Sequence, residues 1–206
     1  MTTIIGIQGD GFAVLGSDTR ISSFGSDGSA YQYSNLGPGM SKIATNGKYL
    51  IGAAGDVRAI NILHHVYQPP VVPPSLKGKK LDAFVTGKVI PSLRQCFDTH
   101  GYSPPEKDSS RDHRAEQDST LVLALNGNIY IIENDYSWTT ESSGFYACGS
   151  GSSYALGAIS AINTGKGFSL HQAKQAVIKA LSIAAKFDPH TGAPNHTFSQ
   201  QEVVAK

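Results

Sequence analysis

The sequence is poor in several things, and each shortage removes a class of protein. It holds only two cysteines in 206 residues, Cys96 and Cys148. Two are too few for a disulfide framework, and two buried reduced thiols fit a cytoplasmic protein. It has no charge excess, with 17 Lys plus Arg against 16 Asp plus Glu, a net charge of +1. A nucleic-acid-binding surface needs a basic excess, so no nucleic-acid partner is expected. No apolar run nears the ~20 residues that cross a bilayer, so no membrane partner is expected either. The opening residues, MTTIIGIQGD, have neither the basic region nor the cleavage site of a secretory signal. Metal-ligand spacing is missing too. His64 and His65 are adjacent and would diverge on a helix, and His100, His113, His171, His190 and His196 are scattered. No cofactor and no metal are expected.

What is present is one globular domain over residues 1–206. Hydrophobic residues make up 40% of the chain, enough for a sizeable core. Residues 2–8 and 12–18 are β-branched and apolar runs around Gly9-Asp10-Gly11, a hairpin signal. Residues 24–40, rich in Gly, are expected to form a loop. A second strand pair, 42–45 and 48–54, turns at Asn46-Gly47. Val57, Ile60, Leu63 and Val66 recur at helical spacing, and Pro69-Pro70 stops that helix. A second helix spans roughly 81–97, kinked near Pro91. Residues 103–119 are polar and predict an exposed loop. Another hairpin flanks Asn126-Gly127-Asn128. A short strand, 145–148, runs into Gly149-Ser150-Gly151, and helices follow over 152–162 and about 170–186. A last strand is expected from Asn195. Strands and helices are segregated, which is an α+β plan.

Three chemistries compete at the motif level. Gly149-Ser150-Gly151 lies between a strand and a helix, where backbone N–H groups can face an anion. No Lys-Ser/Thr follows and the GxGxxG spacing is absent, so a nucleotide site is not supported. Ser150 as a helix N-cap is the plainer expectation there. A serine nucleophile elbow needs GxSxG, which the sequence lacks. The third candidate is Thr2. Removal of Met1 before this small residue exposes an α-amine of pKa about 7.7–8.0, a usable base for the hydroxyl on the same residue.

The ordered set TTIIGI, GFAVLGSDTR, Lys42, IGAAGD, ACGSGSS and FDPHTG decides between them. It resembles the proteasome β-subunits and the bacterial threonine-peptidase ring that partners a Clp-type unfoldase, both N-terminal nucleophile hydrolases. The resemblance covers Thr2 to about Gly192. It implies a four-layer αββα sandwich of two antiparallel sheets. The implied activity is a threonine endopeptidase in a self-compartmentalised ring of identical subunits, stacked in pairs. The implied partners are an ATP-dependent unfoldase or an α-type ring, with unfolded polypeptides as substrates. Carried over by motif, the nucleophile falls on Thr2 and the buried acid on Asp18, with Arg20 as the basic residue that follows. Lys42 is the lysine beside the nucleophile, and the Gly55 N–H is the oxyanion donor. Ser150, Asp188 and Thr191 hold the terminal amine, and Ile21, Ser22, Ala53 and Val57 face the substrate.

Three features depart from that pattern. The segment from Arg20 to Lys42 is long, Asp56 stands where a second glycine is usual, and residues 104–117 form an added insertion. No propeptide beyond Met1 is expected. Two further readings share the motifs: a catalytically inactive structural ring subunit, and an amidase that takes a small amide. The nucleophile is expected to be Thr2, not Thr3. A three-residue turn at Gly9–Gly11 sets Thr2 opposite Asp18, whereas a two-residue turn at Asp10-Gly11 sets Thr3 there.

Overall fold

The computed structural model describes residues 2–24, 30–102, 117–163, 165 and 167–201. Continuous β-branched and apolar runs build the first hairpin, β1 (Thr3–Gly9) and β2 (Phe12–Asp18). Ile5, Ile7 and Val14 join one core cluster, and Ile4, Ala13 and Leu15 join another. The hairpin therefore buries both faces. β10 (Phe145–Gly149) and β11 (Asn195–Gln201) flank it, giving the order β10-β1-β2-β11, all antiparallel.

A second antiparallel sheet runs β5-β6-β7-β8-β9, from β5 (Ile43–Asn46), β6 (Tyr49–Gly55), β7 (Ser119–Leu125), β8 (Asn128–Ile132) and β9 (Trp138–Thr139). The two sheets meet across Ile4, Leu15, Ile43, Val122, Ile129 and Tyr146. Helices cover both outer faces. α1 (Val57–His65), α2 (Lys79–Phe84) and α3 (Ile90–Thr99) pack on the five-stranded sheet. α4 (Ser152–Ile162) and α5 (Leu170–Phe187) pack on the four-stranded one. This is the four-layer αββα sandwich of the N-terminal nucleophile hydrolase type.

Local chemistry accounts for the helices. α5 starts at a capping box, in which the Ser169 hydroxyl takes the Gln172 N–H and the Gln172 side chain takes the Ser169 N–H. Ala173, Ala176, Val177, Ala180, Leu181 and Ala184 then line its inner stripe. Gly16 lets that stripe close on β2, because a Cβ there would strike Val177. Burying Val177 or Leu181 is worth roughly 1.5–3 kcal/mol each. The irregularity expected near Pro91 is a π-helical turn over Val85–Val89, joining α2 to α3. Pro91 has no N–H to give, so the chain changes its hydrogen-bond step just before it.

Several expectations need correction. Residues 24–40 are not all loop, since β3 (Arg20–Phe24) and β4 (Ala30–Asn35) pair as a third, two-stranded sheet. Alternating Tyr and polar residues in 30–35 carried that signal under the glycines. Residues 103–119 are not all exposed loop, because Gln117 and Ser119 are buried and β7 begins at Ser119. The rest of that segment, 103–116, lies outside the described residues, as does Met1. The Asp10-Gly11 turn has two residues, with Gly11 at φ 68°. Ile4 therefore faces Ser17, and one step on Thr3, not Thr2, faces Asp18. Among the described residues no helix is long and apolar enough to cross a membrane.

Candidate active site

The ends of β1, β2, β5 and β6 and the loop after α5 converge on one buried polar cluster. Asp18, the last residue of β2, is 0% exposed and accepts four hydrogen bonds. Oδ1 takes the Thr3 N–H at 2.9 Å and the Lys42 ammonium at 2.8 Å. Oδ2 takes the Arg20 N–H at 3.0 Å and the Gly192 N–H at 3.1 Å. A buried carboxylate needs such donors to offset its lost hydration. Lys42, 2% exposed, also donates to the Arg20 carbonyl at 2.6 Å. Burial pulls the Lys42 ammonium below its ordinary pKa, and the Asp18 carboxylate opposes that pull.

Lys42 is held in place from the backbone. Its carbonyl takes the Ala53 N–H at 3.1 Å, and the Ser41 carbonyl beside it is bonded to His64 Nε2 at 2.7 Å. His64 is therefore a strut between α1 and the start of β5, not a surface histidine.

A second group of side chains lies against the first residues of the chain. Asp188 follows α5 and is 4% exposed. Its Oδ2 accepts Ser150 Oγ at 2.7 Å and Thr191 Oγ1 at 2.5 Å, and its Oδ1 accepts the His190 N–H at 3.1 Å. Burial pushes this carboxyl up, but the bonds from Thr191, Ser150 and His190 outweigh it and hold it below the usual carboxylate value. Ser150 Oγ also reaches the Thr2 carbonyl at 3.4 Å. Ser150 is not the N-cap of α4. That position falls on Gly151, and the Ser150 hydroxyl is turned to Asp188.

Thr2 precedes β1 and is 3% exposed. Thr3 has Oγ1 2.5 Å from Thr191 Oγ1, and a Cβ on Gly151 would strike it. Thr3 thus shares the helix-side face with Ile5 and Ile7. Gly149 has φ 89° and lies so close to the Thr2 carbonyl that a Cβ would collide with it. Gly55, at φ 148°, ends β6 where a Cβ would meet Asp118 O and Ser119 Oγ.

The structure therefore brings Thr2, Asp18, Lys42, Ser150, Asp188 and Thr191 together. The Gly192 N–H on Asp18 ties the Asp188 loop to the Lys42 pair. Of the four substrate-facing candidates, Ser22 bonds His190 Nδ1 at 3.1 Å. Ile21 and Val57 are half-buried, and Ala53 is 0% exposed within the core under α1. Sequence reasoning left Thr3 as the alternative opposite Asp18 but missed its contact with Thr191, and it missed Gly192 as a partner of this cluster. Thr3 had a signal in its alternation with Ile5 and Ile7; the Gly192 N–H had none. Among the described residues no three His, Cys, Asp or Glu side chains converge as a metal site.

The four-layer αββα fold is shared with solved structures of N-terminal nucleophile hydrolases. BPH of Thiobacillus denitrificans has the same fold, with TM-score 0.69 and 19% identity over 99% of this chain and 100% of that one. A structure of that BPH in complex with epoxomicin matches at 0.68 and 20%, over 98% of this chain and 100% of that one. The eukaryotic HslV from Trypanosoma brucei matches at 0.61 and 19%, over 97% of this chain and 99% of that one. No family model and no curated protein matches the sequence.

Proposed function

We propose that this chain is a threonine-type endopeptidase that works as identical subunits in a stacked, proteasome-like ring. Thr2 is its nucleophile, freed by removal of Met1. The observation that carries the reading is the shared Asp18 Oδ1, which accepts both the buried Lys42 ammonium and the Thr3 N–H. The ammonium and the peptide that joins Thr2 to Thr3 are then no farther apart than two hydrogen bonds end to end. A cation in that place favours an ionised Thr2 oxygen.

Strand geometry supports Thr2 over Thr3. The side chain of Thr3 is committed to Thr191, and its N–H to Asp18. Only Thr2 combines a hydroxyl with a free amine once Met1 is gone. The Thr2 amine takes the hydroxyl proton, Oγ attacks the scissile carbonyl, and the same amine delivers the proton to the leaving amine. Water then hydrolyses the acyl-enzyme. Ser150, Asp188 and Thr191 orient the terminal residue through the Thr2 carbonyl and the bonds around it.

Backbone parity supports Gly55 as the oxyanion donor. In an antiparallel strand, N–H groups alternate sides. Ala53 spends its N–H on the Lys42 carbonyl. Gly55, two residues on, directs its N–H to that same side, beyond the start of β5. Ile21, Ser22 and Val57 flank the substrate and carry no charge, with the buried Ala53 beneath them in the core, so an apolar side chain is preferred next to the scissile bond.

The proposed surroundings are a cytoplasmic ring closed around unfolded polypeptide, fed by an ATP-dependent unfoldase or an α-type ring. Enclosure supplies the selectivity that an open N-terminal nucleophile lacks. The test is treatment with epoxomicin followed by intact-mass and peptide analysis, alongside hydrolysis of a fluorogenic peptide. The expected result is loss of Met1, one covalent adduct on Thr2, and a Thr2→Ala variant that folds and assembles but is inert. Retained Met1 with no adduct would leave a structural ring subunit. Turnover of small amides without peptide cleavage would leave the amidase.

A further inference from the structure

The corner where β6 turns into α1 is held by a buried polar group that belongs to no part of the machinery described so far. Asp56 is the N-cap of α1, and its Oδ1 accepts the Arg58 N–H at 2.8 Å. Its own N–H leaves the strand on the side opposite to that of Gly55, toward β7. There Ser119 Oγ accepts it at 3.2 Å. Ser119 is 4% exposed and stands across the ladder from Gly55.

Ser119 is itself fixed from two directions. The Tyr102 hydroxyl, on a residue 5% exposed, lies 2.7 Å from Ser119 Oγ. The Tyr102 ring packs edge-on against Phe97, and burial pushes its phenol up to about 12. That hydroxyl therefore keeps its proton across the working range. Gln117, 2% exposed, grips the Ser119 backbone at both ends. Its Oε1 accepts the Ser119 N–H at 2.8 Å, and its Nε2 donates to the Ser119 carbonyl. Tyr102 and Gln117 thus converge on Ser119, and of the three Ser119 Oγ alone reaches the Asp56 N–H. Burying them costs hydration, and the bonds they make to one another offset that cost.

The peptide that Ser119 Oγ holds, Gly55–Asp56, is next to the one that carries the proposed oxyanion donor. Gly55 sits at φ 148°, and Ser119 Oγ lies 2.5 Å from where its Cβ would be. The space a side chain would fill at position 55 is occupied by the group that anchors position 56. The bond to Asp56 N–H fixes the Gly55–Asp56 peptide, and the close approach of Ser119 Oγ to the Gly55 Cα restrains the φ and ψ that link this peptide to the one carrying the Gly55 N–H.

We propose that Ser119, backed by the Tyr102 hydroxyl and Gln117, is a positioning residue that aims the Gly55 N–H at the developing oxyanion. The inference rests on the peptidase reading, since it needs Gly55 as the donor. A donor that only matters once charge develops changes turnover and leaves ground-state binding alone. Loss of an oxyanion donor costs about 10²–10³-fold in kcat, and a donor that is misaimed but present costs less, on the order of 10–100-fold.

The experiment compares Ser119→Ala, Tyr102→Phe and Thr2→Ala with the wild-type ring on a fluorogenic peptide. The folded, assembled state is verified by circular dichroism and light scattering. Ser119→Ala is expected to lose about 10–100-fold in kcat, with KM within about twofold of wild type. Tyr102→Phe keeps the ring against Phe97 and so keeps the fold; it is expected to lose less kcat, again at constant KM. Unchanged kcat in both variants overturns the proposal, as does a loss confined to KM. Should Ser119→Ala fail to fold, the kcat of Tyr102→Phe decides alone, and a wild-type value overturns the proposal. An active Thr2→Ala is a different failure. It brings down the peptidase reading, and the role of Ser119 falls with it.

Discussion

Replacing Asp18 by Asn changes one atom type and almost no volume, at a site that is 0% exposed. The carboxylate accepts two donors on each oxygen: Thr3 N–H and Lys42 Nζ on Oδ1, Arg20 N–H and Gly192 N–H on Oδ2. An amide has one acceptor oxygen. Whichever way Asn turns, its NH2 must point at one pair of donors. Lys42, 2% exposed, also loses its ion-pair partner. Breaking a buried pair from one side costs about 3–5 kcal/mol. For a domain of this size each kcal/mol lowers Tm by about 2–4 °C, so the expected drop is roughly 6–20 °C. The assay is thermal unfolding followed by circular dichroism at fixed protomer concentration, because assembly makes Tm concentration-dependent. A double variant, Asp18→Asn with Lys42→Met, removes the buried charge and should recover part of the loss. An Asp18→Asn single variant melting within about 2 °C of wild type would refute the claim that this carboxylate organises the site.

Four further outcomes follow from the same geometry. Asp188 has its carboxyl held low by Thr191, Ser150 and His190. The stability it contributes is therefore complete above its unfolded value of about 3.9 and is lost as pH falls below that. Melting curves of wild type and Asp188→Asn should converge below about pH 4, and a gap that widens toward acid would contradict the sign. Thr3→Val keeps the shape and removes the bond to Thr191. It should cost about 1 kcal/mol by urea unfolding yet keep most peptidase activity, while a stable but dead variant would move the nucleophile to Thr3. Gly149→Ala should destabilise by more than about 1–2 kcal/mol, since φ is 89° and the Cβ would strike the Thr2 carbonyl. Gly157→Ala, inside α4 with open space around it, should instead stabilise by roughly 0.5–1 kcal/mol; equal effects at the two glycines would show that the close approach to Thr2 has no consequence.

Much of the architecture was legible because it is local. The β-branched and apolar runs of β1 and β2 around their Gly-Asp-Gly turn, the 3.6-residue stripe of α5 and the Asn126-Gly127 turn are each signalled by residues close in sequence. The motif order placed Thr2, Asp18, Lys42, Ser150, Asp188 and Thr191 on one list, and the fold gathers them into one cluster. The β3–β4 pair escaped because glycine around a strand mimics loop composition, and pairing is decided by the partner strand.

The register of the first hairpin shows where sequence reasoning stops. Gly9-Asp10-Gly11 allows a turn of two residues or of three, and each choice moves every side chain on β1 to the other face. Tertiary packing selects the two-residue turn, which sends Ile5 and Ile7 under α5 and Ile4 against the second sheet. That choice puts Thr3 opposite Asp18 and commits its hydroxyl to Thr191. The sequence alone determined the charge balance and most element types, since these depend on residue chemistry and short-range periodicity, while the polar residues of the site were named by a motif order that resembles a known family. Only the folded chain decided which hydroxyl faces which acid, and that Ser119, 64 positions after Gly55 in sequence, stands beside it. Those contacts are set by strand register and by the stacking of two sheets, which no local pattern encodes.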